Sequence, residues 1–129
     1  MSAVQPSMPI YTLSITAIGA LVEEFTEVGI WVFFRDDAPA ELAEFALLHS
    51  AEAPQEPITA GQVIEINRRR YAITGVGAVA YENVRELGHM VLKANGLTEP
   101  ELPGDVCIEA LPLPQPAIGT TLRIWKEAS

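Results

Sequence analysis

The hydrophobic pattern of this chain changes phase every few residues, and ten prolines and nine glycines cut it further. Proline costs a hydrogen bond inside a helix or a central strand, so a chain punctuated this heavily cannot be built from long helices. Short strands remain. Tyr11–Leu21 opens with Tyr11, Leu13, Ile15 and Ala17 alternating against Thr12, Ser14 and Thr16, the period of a strand with one buried face. Gly29–Arg35 is rich in β-branched and aromatic residues, and Asp36-Asp37 ends it with a turn. Trp31, Phe33 and Phe34 are core candidates, but one of them must face outward. Further strands are expected at Leu47–His49, Gln62–Asn67, Tyr71–Val76, His89–Lys93, Asp105–Ala110 and Thr120–Trp125. A hairpin is expected around Asn67-Arg68 and a turn at Asn95-Gly96. Two segments read as short helices. One is Pro39–Phe45, with Pro39 in the first helical position; the other is Tyr81–Leu87, stopped by Gly88. Residues 50–61, 97–104 and 111–119 read as loops. About eight short strands with one or two short helices indicate an all-β sandwich or barrel.

A length of 129 residues suits one domain. With 49% apolar and 19% charged residues the chain can bury a core, which excludes intrinsic disorder. The net charge of −9 repels phosphate backbones and anionic lipid, so nucleic-acid and membrane-surface binding are not expected. Residues 1 to 22 carry no charged side chain, yet they lack a basic leader segment, and Pro6 and Pro9 interrupt them. The alternation from Tyr11 onward is that of a strand, not of the roughly 20-residue apolar helix a membrane span needs. The expected location is cytoplasmic, without membrane insertion. The acidity is uneven: residues 1–67 hold ten acids and the single base Arg35, whereas residues 68–129 hold seven of each. Two readings stand, a solvated surface and a docking face for a basic partner.

Few residues offer chemistry. A single cysteine, Cys107, excludes an intramolecular disulfide and thiolate-rich zinc sites, and its apolar neighbours suit a small buried side chain. Gly75-Val76-Gly77 lacks the third glycine of a dinucleotide fingerprint and the Gly-Lys-Ser/Thr of a phosphate loop. It reads as a bulge or a close backbone approach. Ser7, Ser14 and Ser50 have no nucleophile-elbow context. Arg68–Arg70 reads as a solvated hairpin or an anion contact. His49 and His89 are the only histidines, and no spacing makes them metal ligands. No metal or cofactor is expected.

Two longer patterns go further. Thr74 to Val106, TGVGAVAYENVRELGHMVLKANGLTEPELPGDV, carries G-x-G-x-x-A-x-x-N-x-x-E-L-G-H, then N-G-L and P-G. Phe34 to Ser50, FRDDAPAELAEFALLHS, carries F-R, A-P-A-x-L and a following histidine, and Ile15 to Gly19 carries I-T-x-I-G. In this order they resemble the glucitol/sorbitol-specific IIA component of the bacterial phosphoenolpyruvate-dependent sugar phosphotransferase system, from about Tyr11 to near the C-terminus. The resemblance implies a single small barrel-like domain over residues 11–127, preceded by an N-terminal extension, residues 1–10. It implies a phosphoryl carrier that accepts phosphate on one histidine from the phosphocarrier protein HPr and passes it to the sorbitol-specific IIB component of the membrane complex with IIC. A homodimer is left open. The acceptor position matches His49. Where the family pattern carries a second histidine and a glycine, this chain reads Ser50-Ala51-Glu52. The alternative is a binding or regulatory module on the same barrel that transfers nothing.

Imidazole suits such a relay because it is neutral near pH 7 and forms a labile bond to phosphorus. His49 is expected to expose one ring nitrogen while a hydrogen bond holds the other. One of Leu47 and Leu48 would offer HPr an apolar contact. Asp36, Asp37, Glu41, Glu44 and Glu52 would form a rim, because a carboxylate beside the phosphate opposes it by about 1–4 kcal/mol. Backbone N–H groups, His89 and Arg35 are the candidate phosphate supports. Three roles compete for His89: structural, supporting, or itself the acceptor.

Overall fold

The computed structural model describes residues 8–126. Nine strands form one curled sheet: β1 (Tyr11–Ser14), β2 (Ala17–Ile18), β3 (Ile30–Arg35), β4 (Leu47–His49), β5 (Val63–Ile66), β6 (Arg69–Val76), β7 (Met90–Lys93), β8 (Asp105–Ile108) and β9 (Thr121–Trp125). Their order is β1-β9-β5-β6-β8-β7-β3-β4-β2. Three short helices accompany them: α1 (Val22–Glu27), α2 (Ala40–Ala43) and α3 (Ala80–Leu87). The all-β, barrel-like expectation stands, with one more strand and one more helix than the pattern suggested.

The two edge strands of the sheet are consecutive in the chain. Tyr11 pairs with Ile124 on β9, while Ala17 pairs with Leu48 on β4. Between them the Ile15 amide donates to the Thr120 carbonyl and the Thr16 amide to the Leu48 carbonyl. The run expected as one strand, Tyr11–Leu21, is thus an extended stretch that changes partners midway. This curls the sheet into a barrel-like shape. Its last residues turn toward α1, a helix the pattern did not mark. Six residues including β-branched Val22 and Thr26, with no side-chain cap and only Val22 buried, leave little periodic signal. Pro39 caps α2 instead of occupying its first turn. β7 begins at Met90, one residue after the expected His89.

Strand β6 makes the second switch. Arg69–Ala72 pair with β5, and Ile73–Val76 with β8, with a register shift between Ile73 and Gly75. The Gly75-Val76-Gly77 segment is therefore the bulge and close approach its glycines implied. Asn67 turns the β5–β6 hairpin with a φ of 55°, which asparagine tolerates better than most residues. The curled sheet encloses Leu13, Trp31, Phe33, Leu47, Ile64, Tyr71, Leu92, Ile108 and Leu122, all buried. Cys107 is buried as expected. Phe34 is the aromatic of its strand that points outward. Residues 1–7 of the expected N-terminal extension lie outside the described residues. Ile10 at its end belongs to the fold, buried and donating its N–H to the Ile124 carbonyl.

A Cβ at Gly75 would stand 2.7 Å from the Thr98 carbonyl oxygen, a backbone contact that cannot swing away. Gly75→Ala should therefore cost about 1–3 kcal/mol, within the range of overpacked cores. Urea unfolding would read it as a lower midpoint at an unchanged slope.

Candidate functional site

Parallel pairing of β3 with β4 sets Arg35 opposite His49. Phe33, Arg35, Leu47 and His49 share the inward side of their strands, and the buried–exposed alternation puts Phe34 on the other. His49 has no exposed surface, and the edges of Tyr11 and Phe33 flank its ring at 6.3 and 6.4 Å between centroids. Both ring nitrogens are engaged. Nδ1 accepts from the Ala51 N–H at 3.1 Å, and Nε2 lies 2.9 Å from the Gly88 carbonyl oxygen. A carbonyl can only accept and a backbone N–H can only donate. The ring is therefore neutral, with its proton on Nε2 and its lone pair on Nδ1. The expectation that one nitrogen of His49 is exposed does not hold. Ser50–Glu52, where the chain departs from the family pattern, serves the ring through main chain.

The cover over His49 is the end of α3. Gly88 stops that helix in the left-handed conformation, φ 64°, and a Cβ there would strike Arg35 Cγ and come within 2.9 Å of His49 Cε1. Only glycine lets the helix end lie this close to the imidazole. Helix ends leave carbonyls without partners, and a cation there complements the helix dipole. Arg35 supplies both. Its guanidinium donates to the carbonyls of Arg85 (3.1 Å), Glu86 (3.0 Å) and Ala51 (3.1 Å). His49 completes the cap through Gly88. Arg35 thus touches the His49 site, with three of its five N–H groups given to backbone carbonyls.

His89 is placed differently. Its ring stacks on Phe34 at 4.1 Å and its Nδ1 lies 3.2 Å from the Phe33 carbonyl. Among the described residues no hydrogen bond or ring contact joins the two histidines. Sequence reasoning missed three contributors. Gly88 was legible only as a helix stop, Ala51 acts through its backbone, and Tyr11 was read only as part of a strand. Tyr11 had a signal, because a tyrosine in phase with inward Leu13 and Ile15 needs a partner for its hydroxyl. In the structure Tyr11 is 3% exposed and its hydroxyl has no hydrogen-bond partner among the described residues. An unsatisfied buried hydroxyl costs about 1–3 kcal/mol. Burial pushes its pKa up to about 12, against an opposing pull from Arg35, so it keeps its proton and has a hydrogen bond to donate.

Outside this cluster, a cleft of about 250 Å³ opens beside Arg35, lined by Phe34, Asp37, Pro39, Leu42, Glu86 and Leu87. Leu47 is core and Leu48 is half-buried, while Asp36, Asp37, Glu41, Glu44 and Glu52 are all exposed. A larger cavity between α1 and the loop around Leu111 shares no residue with the His49 cluster. Among the described residues no three His, Cys, Asp or Glu side chains converge as metal ligands, and no helix is long and apolar enough to cross a membrane.

These features define a small barrel-like protein with one neutral imidazole enclosed under a helix end. Comparison with known proteins then places it. Residues 10–123 match the family model described as the PTS system glucitol/sorbitol-specific IIA component. Proteins named PTS system glucitol/sorbitol-specific EIIA component, from Shigella flexneri and from Escherichia coli (strain K12), are each 37% identical over 115 residues, covering 88% of this chain and 93% of theirs. The crystal structure of a PTS system IIA component from Enterococcus faecalis V583 superposes with a TM-score of 0.77 at 25% identity, covering 86% of this chain and 96% of that one. The chain belongs to the glucitol/sorbitol-specific IIA component family of the sugar phosphotransferase system, a phosphotransferase family.

Burial, first, holds the His49 imidazole below its ordinary pKa of 6.5; the Gly88 bond works against this, Arg35 adds to it and Asp36 opposes it. As pH falls through about 6.5 the unfolded chain takes up a proton that the native ring still refuses. The unfolded state then binds more protons, so this contribution to stability is complete above pH 6.5 and is lost as pH drops toward the native value. Urea midpoints measured between pH 7 and pH 5 should fall more steeply for the wild type than for His49→Gln. Equal slopes would mean that the ring titrates normally in the fold.

Proposed function

We propose that this protein is a cytoplasmic phosphoryl carrier that accepts phosphate from HPr on His49 and passes it to the sorbitol-specific IIB component. The observation that carries this reading is the neutral imidazole of His49, held in one tautomer by Gly88 and Ala51 within a chain of the IIA family. A nucleophile at pH 7 needs an available lone pair, and burial keeps one on this ring. The nitrogen bearing the lone pair attacks phosphorus. The N–P bond to the donor imidazole breaks and its electron pair returns to the donor ring. The other nitrogen of His49 keeps its proton, so the phosphorylated ring is an imidazolium facing a dianionic phosphoryl group. The transition state is loose, so the protein's task is alignment and charge stabilisation.

The attacking nitrogen is covered by the Ala51 N–H, so transfer requires the segment after His49 to give way, while the α3 end keeps the proton on Nε2. Arg35 holds that segment through the Ala51 carbonyl, and the cleft beside Arg35 suits a donor that approaches there. Its apolar Leu42 and half-exposed Leu87 offer contact, and the acidic rim around it attracts a basic protein. The same sealing favours the second reading, a docking module that transfers nothing, because both nitrogens are already occupied.

Incubation with labelled phosphoenolpyruvate, enzyme I and HPr separates the two. The wild type should carry acid-labile label at His49, and His49→Gln should carry less than about 1% of it while keeping its circular dichroism. Label on His89, or full label on His49→Gln, would overturn the assignment. Docking has its own measurement. Raising salt, or changing Asp36 and Asp37 together to lysine, should slow association with HPr about tenfold. An on-rate indifferent to both would return these acids to a solubility role.

A further inference from the structure

We infer that the Tyr11 hydroxyl is a phosphate ligand, donating its hydrogen bond to an oxygen of the phosphoryl group carried on His49. The inference rests on the reading of His49 as acceptor.

It starts from the donors around the imidazole. The Ala51 N–H bonds Nδ1 in this state and is released when that nitrogen takes phosphate, and Arg35 gives three of its five N–H groups to carbonyls. The Tyr11 hydroxyl is a further donor that breaks no bond to serve: its ring is in T-shaped contact with His49 at 88° between planes, it is buried, and its hydroxyl is unpartnered among the described residues. The other buried orphan, Asp105 Oδ1, belongs to a carboxylate whose second oxygen binds Lys93 and the Leu102 N–H, so that side chain is satisfied elsewhere. Tyr11 has one polar atom only. Phenylalanine would fill the same space without the cost of a stranded hydroxyl, so the hydroxyl earns its place in another state of the protein. Phosphorylation of His49 creates that state by adding three strong acceptor oxygens to the ring the tyrosine already touches. Tyr11 stands beside His49 in this state, its ring in T-shaped contact with the imidazole. Its backbone is pinned by pairing with Ile124, so the donor is in place before the phosphate arrives.

The test is Tyr11→Phe in the full chain. Without phosphate, the variant should unfold at a urea concentration equal to or above the wild type's, since it loses only an unsatisfied group. Equilibrated with phosphorylated HPr, it should hold phosphate about tenfold to a hundredfold less favourably than the wild type, the loss of one charge-assisted hydrogen bond. A ratio within twofold of the wild type overturns the inference. So does a variant whose unphosphorylated form loses stability in step, which marks Tyr11 as structural. A second readout uses the wild type alone: the carbon-13 resonance of Tyr11 Cζ should move when His49 is phosphorylated, and an unmoved resonance also overturns it. Failure of the wild type to take label on His49 removes the carrier reading and this inference together. Labelled wild type with an indifferent Tyr11→Phe removes this inference alone.

Discussion

The hydrogen bond between His49 Nε2 and the Gly88 carbonyl joins the two parts of the chain that build the candidate site. One end of it is the last residue of β4, and the other is the residue that ends α3. It fixes which nitrogen carries the proton, it closes the helix, and it excludes water from the ring. Arg35 reinforces all three by holding the neighbouring carbonyls. A single close approach, possible because Gly88 has no side chain, therefore makes the imidazole both ready and unreachable.

Much of the fold was legible because β-structure writes itself in period two. β3, β5, β6 and β9 stood out through alternation and β-branched content, and α3 through its glycine stop. What escaped was non-local. Nothing between Tyr11 and Ile18 says that its first half pairs with β9 and its second with β4, because both partners lie far away in sequence. α1 was invisible for a different reason: six residues with one buried position cannot display a helical period.

The residues of the candidate site were legible in the sequence, and the contacts that hold them were not. The pattern around Phe34–Ser50 singled out His49 and Arg35, and the structure sets them side by side. Their roles, however, depend on hydrogen bonds to main chain, at Ala51, Arg85, Glu86 and Gly88, and main chain has no residue-type signature. Arg35 read as a phosphate donor because a lone cation in an acidic half invites that reading. Its fork is instead matched to three carbonyls. His89 read as a neighbour of His49 through Gly88, yet its ring packs against Phe34, on the side of β3 away from His49's strand face.

The pairing of Tyr11 with Ile124 has a consequence during synthesis. Ile124 is synthesised several to tens of seconds after Tyr11 at about 5–20 residues per second. Until then Tyr11, Leu13 and Ile15 have no β9 to lie against, and the wall they form beside His49 does not exist. The nascent chain can assemble α3 and the strands around it, but the histidine stays open on that side. The Tyr11 side of the enclosure around His49 therefore forms only once β9 is there to pair with it.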